Sequence, residues 1–315
     1  MKLTPRLIWM LTLPPLLWAG NAIAGRLTVP LVPPLMLNLL RWVTVALVLL
    51  VIGRRAIATA EARAAIRARW RSLALVGLLG VGAYNALQYL ALTTSTPINV
   101  TLIASSMPLW MLLVGAVFFH ERPQLRQMMG ASLSLAGVAT VLGRGDWSKL
   151  AQIHFVQGDV YMLLAAACWA GYSWLLVRPP ESMTLANRPR VTGADGQPRP
   201  WNWAEYLLVQ TLFGLFWSST SAGLEAVMTD RVAQWTPAVA VALVYITIGP
   251  SLLAYKFWGV AVAQAGPTTA GIFANLTPLF AALMSTAMLG DAPQGYHGVA
   301  FALIVAGIAV SSGRR

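Results

Sequence analysis

The sequence predicts an all-α integral membrane protein of ten transmembrane helices, arranged as two inverted five-helix repeats. Hydrophobic residues make up 57% of the chain and charged residues only 10%. A soluble domain carries roughly 25% charged residues and cannot bury so much apolar surface. No charged residue occurs for 48 positions from Ser72 to Phe119, or for 34 from Phe257 to Gly290, whereas one helix needs about 20 apolar residues to cross a bilayer. These runs are continuously apolar, without the alternation of a transmembrane barrel. Finally, PINVTLIASSMPLWMLLVGAVFFHERPQ recurs as PTTAGIFANLTPLFAALMSTAMLGDAPQ. A shift of 170 positions (267 − 97) superimposes Pro97 on Pro267, Ala104 on Ala274, Pro108 on Pro278, Glu121 on Asp291 and Gly137 on Gly307. This is an internal duplication.

Apolar runs bounded by charge, Pro or Gly place helices at about 7–26, 33–52, 72–92, 97–119 and 125–143, then 158–177, 204–224, 238–258, 267–289 and 295–312. The first has Lys2 and Arg6 ahead of it, like a signal peptide. Because Arg26 and a second apolar run follow at once, it is expected to persist as a mature helix. With the N-terminus placed inside, 16 Lys and Arg fall in the inner connections and termini. Only four, Arg26, Arg144, Lys149 and Arg231, fall in the outer ones, a bias that puts both termini in the cytoplasm. The arginines thus orient the chain, and the formal charge of +12 does not imply nucleic acid. The lone Cys168 excludes an intramolecular disulfide.

Five helices per half give repeats over 1–150 and 151–315, and an odd number points the halves in opposite directions. Trp18-Ala19-Gly20 matches Trp169-Ala170-Gly171 at a shift of only 151 (169 − 18). The difference locates an insertion at the cytoplasmic linker, about 178–203, whose Pro, Gly and charge content is expected to form no packed core. Two similar halves of opposite orientation can expose one central site alternately to either side, which is the logic of a transporter.

The five-helix halves, the WAG start of helices 1 and 6, and the ends FFHERP and MLGDAP of helices 4 and 9 resemble the EamA-type drug/metabolite transporter superfamily over essentially the whole chain. The aromatic-rich character is similar to its YddG-type aromatic amino acid exporters. The resemblance implies a ten-helix bundle in a bacterial inner membrane that exports small metabolites, amino acids foremost. A small-molecule substrate, the lipid bilayer and a monomeric state are the expected associations.

Candidate binding residues follow from depth and chemistry. Trp18 and Asn21 share a face of helix 1 with Gly25, and Tyr84 and Gln88 share a face of helix 3. Trp169 and Tyr172 sit in helix 6, deeper than the interfacial belt to which Trp9, Trp201, Trp203 and Trp235 are assigned. Pro108 and Pro278 lie mid-helix, where each removes a backbone hydrogen bond and bends the helix. Asn99 and Asn275, in the same two helices, are costly to bury. Lys256 lies deeper if helix 8 follows helix 3 by the 170 shift, and is then a counter-ion for a substrate carboxylate. Arg41, eight residues into helix 2, is expected to snorkel outward.

All ten carboxylates lie in connections or at helix ends, so no central acid is available as a proton relay. No metal-ligand cluster, GxSxG or HExxH pattern occurs, and neither a cofactor nor an enzymatic activity is expected. A sugar-phosphate or nucleotide-sugar carrier of the same superfamily is the alternative, and it would want several intramembrane cations.

Overall fold

The computed structural model describes residues 3–95, 97–148, 155–193, 195–289 and 294–312, with the side chains of 97–99 and 285–289 left out. Helix α1 (Pro5–Thr28) starts where Thr4 accepts the Leu7 amide at 3.3 Å. Proline in that first turn forfeits no intrahelical bond. Helix α2 (Pro34–Ile52) starts the same way, and the Glu225 carboxylate accepts the Leu35 and Met36 amides at 3.0 and 2.9 Å. A negative charge thereby meets the positive end of the helix dipole. A short helix α3 (Ala60–Ala68), capped by Thr59, leads into α4 (Trp70–Thr94). Then come α5 (Pro97–Ala104), α6 (Met107–Phe119), α7 (Leu125–Leu142) and α8 (Gln157–Val177). An antiparallel hairpin, β1 (Arg190–Thr192) with β2 (Pro198–Pro200), precedes α9 (Trp203–Met228) and α10 (Pro237–Ala265). The chain closes with α11 (Pro267–Ala274), α12 (Leu276–Leu289) and α13 (Gly295–Ser312).

Eight of these, α1, α2, α4, α7, α8, α9, α10 and α13, are each long and apolar enough to cross a membrane. The stretches 97–119 and 267–289, expected as single bent helices, are built in two pieces each. The breaks fall at Ser105–Ser106 and at Asn275, positions the repeat superimposes. There the Ser106 amide reaches only three residues back, to Ile103 at 3.0 Å, and Asn275 to Ile272 at 3.2 Å. Pro108 and Pro278 supply the reason: a proline ring clashes with the carbonyl four residues back, and is accommodated when the helix restarts around it.

The same symmetry marks α4 and α10, which contain π-helical turns over Leu78–Ala83 and Thr247–Leu253. The repeat relation carries 78–83 onto 248–253, and such turns occur often at functional sites. It also governs the crossing of α7 and α13. A Cβ on Gly130 would lie 2.6 Å from the Gly307 carbonyl, one on Gly307 2.6 Å from the Gly130 carbonyl, and one on Gly137 2.8 Å from the Ala300 carbonyl. Exchanging the halves turns the 130–307 contact into 300–137, and the close approach needs small residues.

The connection over 178–203 is not the unpacked linker expected from its composition. Met183, Val191, Trp201 and Tyr206 bury one another, which removes Trp201 from the interfacial belt. Arg69 donates to the Ser182 and Asn187 carbonyls at 2.9 and 3.0 Å, and Arg199 grips Glu205 with bonds of 2.7 and 2.8 Å. Elsewhere the outside of the bundle is covered by exposed apolar side chains such as Leu47, Val51, Phe118, Val227 and Phe301. A lipid-facing surface requires this and an aqueous one rarely shows it.

Candidate functional site

A cavity of about 110 Å3 opens in the bundle between α1, α4, α5, α6, α8, α11 and α12. Of the residues singled out from the sequence, Trp18, Asn21, Tyr84, Gln88, Trp169 and Pro278 line it together. Asn85, Tyr89, Thr101 and Ser105 complete its polar wall, with Arg26 at its edge. Two successive turns of α4 therefore contribute Tyr84, Asn85, Gln88 and Tyr89 to one face, because the π-helical turn ends there and ordinary helical spacing resumes.

Behind that wall lies Arg41, fully buried instead of snorkelling outward. Its Nε donates to Ser251 Oγ at 2.7 Å, and Nη1 donates to Asn21 Oδ1, Asn85 Oδ1 and Tyr89 Oη at 3.3, 2.8 and 3.1 Å. An arginine at a helix centre costs roughly 2.5–3.5 kcal/mol. Charge-assisted bonds contribute about 1.5–3 kcal/mol each, and the three hydrogens of Nε and Nη1, shared over these four acceptors, suffice to hold it. No carboxylate among the described residues bonds to it. Three of its four acceptors line the cavity, so its positive charge sits one side-chain layer from any occupant.

The cavity floor is aromatic. The Trp169 ring lies 4.8 Å from Tyr84, 5.2 Å from Trp18 and Tyr255, 5.1 Å from Tyr172 and 5.5 Å from Trp258. Polar tips fix these rings: Trp18 Nε1 donates to the Pro250 carbonyl at 3.3 Å, and Trp258 Nε1 to Ser173 Oγ at 3.1 Å. The Pro250 carbonyl is available because π-helical turns disturb the ordinary backbone ladder.

On the other side of this layer, toward the 178–203 connection, a second cavity of about 330 Å3 is lined by Tyr172, Tyr206, Gln210, Tyr255 and Lys256, among others. Tyr172 and Lys256 therefore stand apart from the first cavity. Lys256 Nζ lies 5.0 Å over the Trp203 ring and 5.5 Å over Phe257. Asn275 turns away as well, donating to Ser134 Oγ at 3.0 Å, and the side chain of Asn99 lies outside the described residues. Pro108 packs near Gly271 rather than lining the cavity. Sequence reasoning missed Arg41 and Tyr89. The available signal was the one cation in the otherwise apolar α2.

Long apolar helices around an interior cavity, with a second cavity across an aromatic layer, define a multi-pass membrane protein of the transporter class. The chain belongs to the EamA-like transporter family, whose sequence profile matches residues 6–143 and 196–313. It is 25% identical over 305 residues to the aromatic amino acid exporter YddG of Ancylobacter novellus, covering 94% of this chain and 93% of that one. It is 26% identical over 313 residues to a probable terminal-alkyne amino-acid exporter of Streptantibioticus cattleyicolor, covering 98% and 93%. A crystal structure superposes with a TM-score of 0.67 at 24% identity, covering 98% of this chain and 96% of the other, a likeness of fold alone.

Proposed function

We propose that this chain exports amino acids with apolar or aromatic side chains across a bacterial inner membrane by alternating access. It does so as a monomer of ten spans, in two inverted five-helix repeats with both termini cytoplasmic. The observation that carries the substrate class is the aromatic-walled cavity backed by Arg41, a buried cation without a carboxylate partner among the described residues. A substrate carboxylate one layer away gains about 2 kcal/mol, taking roughly 8 Å and an effective dielectric of about 20. Trp18, Tyr84 and Trp169 offer ring faces to an apolar side chain, and Gln88 with Ser105 offers acceptors for an ammonium.

Alternating access is supported by the paired arrangement of the halves. The π-helical turns, the helix breaks and the α7–α13 crossing all recur under the 170 shift, and the aromatic layer divides two cavities. In this reading the first cavity faces out and the second faces the cytoplasm. The test is counterflow into liposomes preloaded with phenylalanine, leucine, phenylalaninamide or glucose 6-phosphate. Exchange of the two amino acids and not of the amide or the phosphate is expected. Exchange of glucose 6-phosphate alone would sink the reading.

A further inference from the structure

We infer that the second cavity is an anion-recognition site for a small carboxylate with an apolar body, where the substrate is first held on its way in from the cytoplasm. This rests on the transport reading for its direction, but not for its chemistry. Lys256 of α10 and Arg188 of the 178–203 connection both line the cavity, and no carboxylate does. Glu205, which adjoins the lining residue Tyr206 in the sequence, is occupied by the two bonds from Arg199. Arg188 lies 4.6 Å over the Tyr206 ring, and its buried Nε has no hydrogen-bond partner. Lys256 is likewise held over an aromatic face, Trp203, and not by an acid. Two cations resting on rings, with donor hydrogens unspent, are what a carboxylate needs.

The rest of the lining suits the remainder of such a ligand. Tyr172 and Leu176 present apolar surface, and the Tyr172 hydroxyl is held by Gln210 Oε1 at 3.1 Å. Tyr172 then touches Trp169 at 5.1 Å, the floor of the first cavity, so an occupant of the second is one ring from the next site. Arg188 is brought here by the packed connection: Arg69 binds the Asn187 carbonyl beside it at 3.0 Å. The inserted segment thus supplies half of the cationic pair.

Gly259 lines this cavity and a Cβ there would meet nothing within 4 Å, which gives a local reporter. In a Cys168→Ala background, Gly259→Cys in phosphatidylcholine nanodiscs is alkylated with N-ethylmaleimide in the presence of 3-phenylpropionate or the neutral 3-phenylpropanol. Protection by the acid and not the alcohol is expected. Lys256→Gln and Arg188→Gln, each checked for a monodisperse folded protein, should weaken protection by about tenfold, the worth of one charge-assisted bond. Equal protection by the alcohol, or protection indifferent to both variants, overturns the site. So does protection by phosphatidylglycerol that 3-phenylpropionate fails to displace, which assigns the cations to lipid headgroups. Protection that holds while amino acid counterflow is absent leaves the site standing and removes the transport reading alone.

Discussion

Asn85 donates a hydrogen bond from Nδ2 to the Tyr255 hydroxyl at 3.2 Å, and the two residues stand 170 positions apart. They are each other's counterpart in the duplication, so the bond joins the halves at the point where they meet. The Tyr255 hydroxyl in turn donates a hydrogen bond to the Gly80 carbonyl inside the π-helical turn of α4, while Asn85 also accepts from Arg41. Loss of either partner should therefore loosen the centre. Tyr255→Phe is expected to lower stability by about 1 kcal/mol and Asn85→Ala, which also strips an acceptor from Arg41, by about 2–3 kcal/mol, with the double variant costing less than the sum. Thermal unfolding in detergent measures the cycle, and strict additivity would show that the bond carries no energy.

Arg41 acts on the cavity through Asn21, Asn85 and Tyr89, so its charge should govern recognition of a carboxylate. Arg41→Gln retains a hydrogen-bonding head and removes the charge. Counterflow of phenylalanine should show a KM raised about tenfold, the order of a 1.4 kcal/mol loss, with protein yield unchanged. A KM that stays put, with only yield falling, would make Arg41 a structural residue.

The duplication, eight of the spans and the cavity-lining aromatics were legible in the sequence because each depends on periodicity or on depth along one helix. Trp18, Tyr84 and Trp169 could be placed that way. Arg41 could not: the acceptors that stabilise it, Asn21, Asn85, Tyr89 and Ser251, come from α1, α4 and α10. Depth said that it could reach outward, and only packing shows that it does not. Depth in the repeat could place Lys256 at a cavity but not say which one, because the cavity it lines depends on the fold of the 178–203 connection. That connection is polar and Pro-rich, yet its Met183, Val191 and Trp201 pack with Leu73, Tyr206 and Val209 from neighbouring helices into a small core that composition averages away.

The α7–α13 crossing makes a packing prediction. At Gly130 and Gly307 a side chain would press on backbone carbonyls at 2.6 Å, which cannot rotate aside. Gly307→Val should destabilise by about 1–3 kcal/mol, the cost of overpacking, and Gly130→Val by a similar amount. At Gly298, where a Cβ meets nothing within 4 Å, Gly298→Ala should be neutral or stabilising. Melting temperatures of the three variants test the ordering.

Orientation is checked by labelling. In the Cys168→Ala background, Arg190→Cys should react with an impermeant maleimide only in inside-out vesicles, and Ser148→Cys only in intact cells. Both positions are exposed, so reactivity reports sidedness. Labelling of position 190 from outside would reverse the proposed topology and, with it, the direction of transport.

Trp169 separates the two cavities, and its removal should uncouple them. The ring touches five other aromatic rings across the layer, and deleting a buried tryptophan costs about 3–5 kcal/mol while leaving a void. Trp169→Ala therefore carries a folding risk that Trp169→Phe does not share to the same degree. In liposomes both should lose phenylalanine exchange, because the ring face that holds the side chain is gone or shortened. Only Trp169→Ala should add a passive leak of phenylalanine without a counter-substrate, since a void at that point joins the spaces on either side. Exchange lost without any leak would mean that Tyr172 and Tyr255 alone keep the layer closed, and Tyr172→Ala in the Trp169→Phe background would then be the variant that leaks.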